Sequence, residues 1–92
     1  MKRMSYRVTG RVQSVGFRAY AVRLAQECGV VGWVRNDADG SLRAEAAGTD
    51  AALMSFASGL RMGPPAARVE RLDAFVLDEV ENSPRSDFAV ED

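Results

Sequence analysis

Few side chains in this chain could carry chemistry. It has no histidine and one cysteine, Cys28. The commonest general base and commonest catalytic metal ligand are therefore missing, and neither an internal disulfide nor a cysteine-based zinc cluster can form. What remains are Arg, Asn, carboxylates, hydroxyls and backbone amides. They gather in GRVQSVGFR, Gly10 to Arg18, where an alternating apolar run gives way to a helical one. A strand that turns through a glycine-containing loop into a helix leaves backbone N–H groups unpaired. Those donors and the positive end of the helix dipole make an anion site. Gly10 and Gly16 permit conformations in which successive N–H groups point into one hollow. Arg18, in the first helical turn, opposes the dipole unless an anionic partner is present, and its planar fork can grip two phosphate oxygens.

A plainer reading stands beside this one. Strand–glycine loop–helix junctions are common and most bind nothing, so Arg18 could equally be solvated or paired with Glu27 or Asp37. Arg11 reads as a surface charge. A second segment, GWVRND, ends a strand with Asn36, whose amide can donate and accept at once and so hold a water beside a bound anion. Asn is also favoured before a hairpin turn for its own backbone hydrogen bonds. Arg35 and Asp37 read as solvated, and Asp73, Asp78, Glu79 and Glu81 as a solvated acidic face. Cys28 reads as a buried apolar residue of the first helix, with no basic neighbour to activate it as a nucleophile. Met54 is either core-facing or surface filler.

The elements that would position these groups follow from periodicity. Met4, Tyr6 and Val8 alternate with Ser5, Arg7 and Thr9, which predicts a half-buried strand. Phe17, Tyr20, Ala21, Leu24, Ala25 and Cys28 recur at helical spacing, and Gly29 supplies a C-terminal cap. VVGWVRN and SLRAEAA are a second and third strand joined by the turn signal DADG. Thr49 and Asp50 are candidate N-caps for a second helix with an apolar face of Leu53, Phe56, Ala57 and Leu60. Gly63, Pro64 and Pro65 end it. ARVERLDAFVLD predicts a fourth strand whose apolar parity switches after Val69, the mark of a bulge or an early end. SDFAV predicts a short fifth. The order predicts an α+β chain of the ferredoxin-like split β-α-β kind, a mostly antiparallel sheet with two helices on one face.

Composition bounds the rest. Ninety-two residues suffice for one domain, residues 1–92, with a modest core. At 47% hydrophobic and 27% charged the chain is ordinary for a globular protein. No apolar run approaches a membrane span and no secretory leader is visible, so a cytoplasmic protein with no membrane partner is expected. Net charge is −1 without a basic block, which argues against a nucleic-acid partner.

YRVTGRVQSVGFR, GVVGWVRNDADG and GPPAARVERL together resemble the acylphosphatase family, in the family's order and over nearly the whole chain. The resemblance implies a small ferredoxin-like hydrolase that splits acyl phosphates into a carboxylate and inorganic phosphate, with no metal or cofactor. Residue by residue, Arg18 matches the phosphate-binding catalytic arginine and Asn36 the asparagine that orients the attacking water. Gln13, Ser14, Val15, Gly16 and Phe17 match the backbone cradle for the phosphate. Two positions depart from the pattern. Ser14 stands where the family usually has glycine, which costs roughly 1–2 kcal/mol if a left-handed backbone is needed there. FAVED stands where a basic and an aromatic residue often follow the last strand. Activity is expected to be retained, at full or reduced rate, with the chain acting as a monomer. A non-catalytic anion-binding module on the same scaffold is the alternative, and an RNA-binding sheet a more distant one.

Overall fold

The alternation around Tyr6 lies within a longer strand, β1 (Lys2–Arg11). After it come α1 (Phe17–Cys28), β2 (Val31–Asn36), β3 (Leu42–Gly48), α2 (Asp50–Met62), β4 (Arg68–Glu79) and β5 (Phe88–Val90). These elements belong to a computed structural model that describes residues 1–81 and 85–91. Asp92, the last residue of FAVED, lies outside the described residues.

The strands form one sheet in the order β4-β1-β3-β2-β5. All pairs are antiparallel except β2 with β5. This is the expected ferredoxin-like arrangement with β5 added at an edge. Alternation puts Tyr6, Val8, Val34, Leu42, Ala44 and Ala46 on one face. Against it α1 packs Phe17, Ala21 and Ala25, and α2 packs Leu53, Phe56 and Leu60. Ala44 sits in register between Tyr6 and Val34, and its small side chain leaves room for Phe56, which meets Tyr6 and Phe88 edge-on at 5.5 and 5.4 Å. Both helix ends follow local chemistry. Gly29 takes a left-handed conformation and its N–H reaches Ala25 O, while the Thr49 hydroxyl accepts from the Ala52 N–H. Of the two candidate N-caps, Thr49 is the cap and Asp50 the first helical residue. Met54 is exposed on α2 and fills the surface.

β4 does not end early. It runs beside β1 for its full length, with irregularities opposite Arg3/Met4 and Thr9/Gly10. The second explains the parity switch. Leu72 pairs with Val8 and Val69 with Gly10, so one extra residue between them returns Val69 to the helix face, where both pack against the core. Gly10 belongs to this contact. A Cβ there would lie 2.1 Å from Arg68 O. Its reading as part of an anion hollow is thereby corrected: the close approach of β4 is what requires glycine.

The other sheet face is charged, and there too the expectation changes. Arg7, Arg43 and Arg35 stand side by side across three strands, a row of like charges that needs compensation. Carboxylates of the β2–β3 turn supply it. Arg35 Nε donates to Asp37 at 2.8 Å, Arg43 lies 3.7 Å from the same carboxylate, and Arg7 donates to Asp39 at 2.7 Å. Arg35 and Asp37 are thus paired rather than merely solvated. Asp73 and Asp78 are likewise no separate acidic face: Arg71 pairs with the first at 2.8 Å, and Arg3 donates twice to the second at 2.8 and 3.0 Å.

Candidate active site

The loop between β1 and α1 hangs between two buried anchors, Val12 at 1% and Phe17 at 2% exposure. Both are apolar positions of flanking periodic segments, so the core holds the ends and the residues between must bridge them. Ser14 does so with φ 61°, the one non-glycine positive φ among the described residues, and Gly16 with φ 77°. Val15 turns back against the core. Left-handed Ser14 and Gly16 flank Val15, which is not left-handed, and such an alternation of hand is the backbone pattern from which an anion nest is built. The left-handed serine anticipated from the sequence as a cost is therefore present.

Gly16 is also the N-cap of α1, and it offers no side-chain cap. No acidic residue occupies the first turn. The first amide donors of the helix therefore have no carboxylate or hydroxyl of their own to satisfy them. Arg18 follows in that turn.

Ser14, Gly16, Phe17, Arg18 and Asn36 line one cavity of ≈ 390 Å³. Two elements remote in sequence thus converge, the loop after β1 and the last residue of β2. Val12, Ala19 and Val90 complete an apolar wall. Of the residues singled out from the sequence, Gln13 and Val15 do not line it. Val90 could not be anticipated from spacing, because it arrives through the parallel pairing of β5 with Val34. The Gln13 side chain was also missed: its Nε2 donates to Asp37 O at 2.7 Å and to Ser41 O at 3.1 Å.

Asn36 has an unusual environment. Its Oδ1 is buried and meets no donor among the described residues. A half-turn of the amide exchanges oxygen and nitrogen, so the group can offer either to a cavity occupant. The neighbouring carboxylates are occupied elsewhere. Asp39 is held well below the usual carboxylate range by the Ser41 hydroxyl first and by Arg7 next, and Asp37 faces Arg35. Cys28 lies apart on α1, half-buried at the core's edge rather than fully buried as expected, and desolvation pushes its thiol up, away from nucleophile chemistry. Among the described residues no group of three or more His, Cys, Asp or Glu is placed to hold a metal ion. No helix among the described residues is long and apolar enough to cross a membrane.

An uncapped helix start, a left-handed turn of amides, a guanidinium and a carboxamide around one hollow define an α+β protein suited to a tetrahedral oxyanion. The family model described as acylphosphatase matches residues 4–90. An acylphosphatase of Salinibacter ruber is 53% identical over 72 residues, covering 78% of this chain and 76% of its own. One of Rhizobium etli is 46% identical over 84 residues, covering 91% and 87%. The crystal structure of acylphosphatase from Bacillus subtilis superposes with a TM-score of 0.92 at 31% identity, covering 99% of both chains. The chain belongs to the acylphosphatase family and is by that membership a hydrolase.

Proposed function

We propose that this chain hydrolyses carboxyl–phosphate anhydrides by a metal-free attack of water on phosphorus. Arg18 and the backbone amides of Gln13 to Phe17 hold the phosphoryl group, and Asn36 orients the water. The observation that carries the reading is the convergence of Arg18 and Asn36 on one cavity at the uncapped start of α1.

The chemistry asks only for what these groups supply. Water oxygen bonds to phosphorus as the phosphorus–oxygen bond to the acyl group breaks, giving a carboxylate, inorganic phosphate and one proton released to solvent. The conjugate acid of the leaving group has a pKa of about 4, so it departs without protonation and no general acid is needed. A chain without histidine can therefore perform this hydrolysis. Catalysis reduces to in-line placement and stabilisation of charge on the equatorial oxygens. The reading takes the chain as one domain acting as a monomer in the cytoplasm. A single cysteine, which cannot form an internal disulfide, is in keeping with that compartment.

The test is hydrolysis of benzoyl phosphate by the purified chain in the presence of a chelator. Turnover that persists with chelator and collapses in Arg18→Ala is expected. Phosphate binding by calorimetry without turnover would instead select the non-catalytic anion-binding module.

A further inference from the structure

We propose that Gln13 is a positioning residue whose side-chain amide braces the β1–α1 loop against the β2–β3 hairpin and thereby sets Asn36 relative to the phosphate hollow. The proposal rests on the reading of Arg18 and Asn36 given above.

The need for such a brace comes from the sheet register. β1 pairs with β3 only as far as Val8 opposite Leu42, and Asn36 is the partner of Leu42 on the other side. From Thr9 to Arg11, β1 is paired with β4 alone, on the side away from β2. The loop that follows is thus tied by the sheet to the wrong neighbour for chemistry that also uses Asn36.

Gln13 spans that gap. Its Nε2 donates to Asp37 O at 2.7 Å and Ser41 O at 3.1 Å, so one nitrogen uses both hydrogens on one turn. Those carbonyls belong to the base of the hairpin: the Asp37 N–H donates to Ser41 O at 2.9 Å, and the Gly40 N–H to Asp37 O at 3.1 Å. Asp37 directly follows Asn36, so fixing its carbonyl fixes the adjoining peptide. The pattern is specific to a carboxamide. A carboxylate of the same length presents acceptors to acceptors, and a thioether presents no donor. The Gln13 side chain turns to the hairpin and Gln13 does not line the cavity, so the side chain acts through the hairpin, while the backbone amide of residue 13 is kept in every variant.

The experiment measures kcat and KM for benzoyl phosphate, inhibition by inorganic phosphate, and thermal unfolding in Gln13→Ala, Asn36→Ala and the double variant. Gln13→Met, which keeps the length and apolar stem, serves if the alanine variant does not fold. Loss of the brace is expected to lower kcat by about 10- to 100-fold, the scale of an ångström-sized misplacement. Inhibition by inorganic phosphate, which reports the hollow alone, stays as in the parent. The double variant is no slower than Asn36→Ala. A parental kcat in the Gln13 variants, additive losses in the double variant, or phosphate inhibition weakening in step with kcat would each overturn the proposal. Failure of the underlying reading is distinct, because Asn36→Ala would then turn over at the parental rate by itself.

Discussion

Arg18 in the first turn of α1 and Asn36 at the last position of β2 line the same cavity. One is carried there by a helix start and the other by a strand end, with β3 lying between β1 and β2 in the sheet. Replacing Arg18 by alanine removes a charge and a two-pronged donor from the hollow. A lost donor of this kind costs about 3–4 kcal/mol of barrier, or roughly 10²- to 10³-fold in kcat. Arg18→Lys keeps the charge without the fork and should recover only part of the rate. Steady-state hydrolysis of benzoyl phosphate measures both.

In the proposed mechanism Asn36 contributes orientation rather than charge. Asn36→Ala should lower kcat while leaving inhibition by inorganic phosphate nearly intact, because the amides and Arg18 still hold the anion. Equal losses in both quantities would assign Asn36 to phosphate binding instead.

Ser14 sits at φ 61°, where a side chain costs roughly 1–2 kcal/mol. Glycine removes that cost but gives the unfolded chain more freedom, worth about 0.4–1 kcal/mol in the opposite sense. Ser14→Gly should therefore stabilise the fold by about 0.5–1 kcal/mol and raise Tm by a few degrees, as thermal unfolding would show. Ser14→Ala keeps the strained Cβ and should show no such gain.

The Tyr6 hydroxyl is buried with no partner among the described residues, and burial pushes its pKa up to about 12. The folded state thus holds the phenol proton more tightly than the unfolded chain, whose tyrosine titrates near 10. Stability from this source is complete below pH 10 and falls as pH rises toward 12. Tyr6→Phe should remove that alkaline loss. At pH 7 it should be neutral or stabilising by about 1 kcal/mol, because an unsatisfied hydroxyl leaves the core without a cavity. Denaturant unfolding of parent and variant across this pH range tests both.

Asp39 behaves oppositely. Ser41 and Arg7 lower its pKa in the folded state, so its contribution is present above the ordinary carboxylate pKa and is lost as pH falls through the lowered one. In Asp39→Asn the acid-side decline in stability should be shallower than in the parent, measured by denaturant unfolding below pH 5.

The sequence by itself determined whatever depends on residues a few positions apart. The apolar face of α1, the Gly29 and Thr49 caps, the turn after Asn36 and the loop holding Ser14 and Gly16 are all local, since helix and strand periods and turn preferences act over one or two turns of chain. The motif match to a known family rests on the same local strings. Tertiary structure decided what depends on register between distant strands. It assigned Gly10 to the close approach of β4 and drew Asp37 and Asp39 to the arginine row. It also brought Val90 to the cavity and turned Gln13 toward the hairpin. None of these has a sequence period, because each is set by which residues two strands place opposite each other, and a shift of one position would move every such partner to the other face.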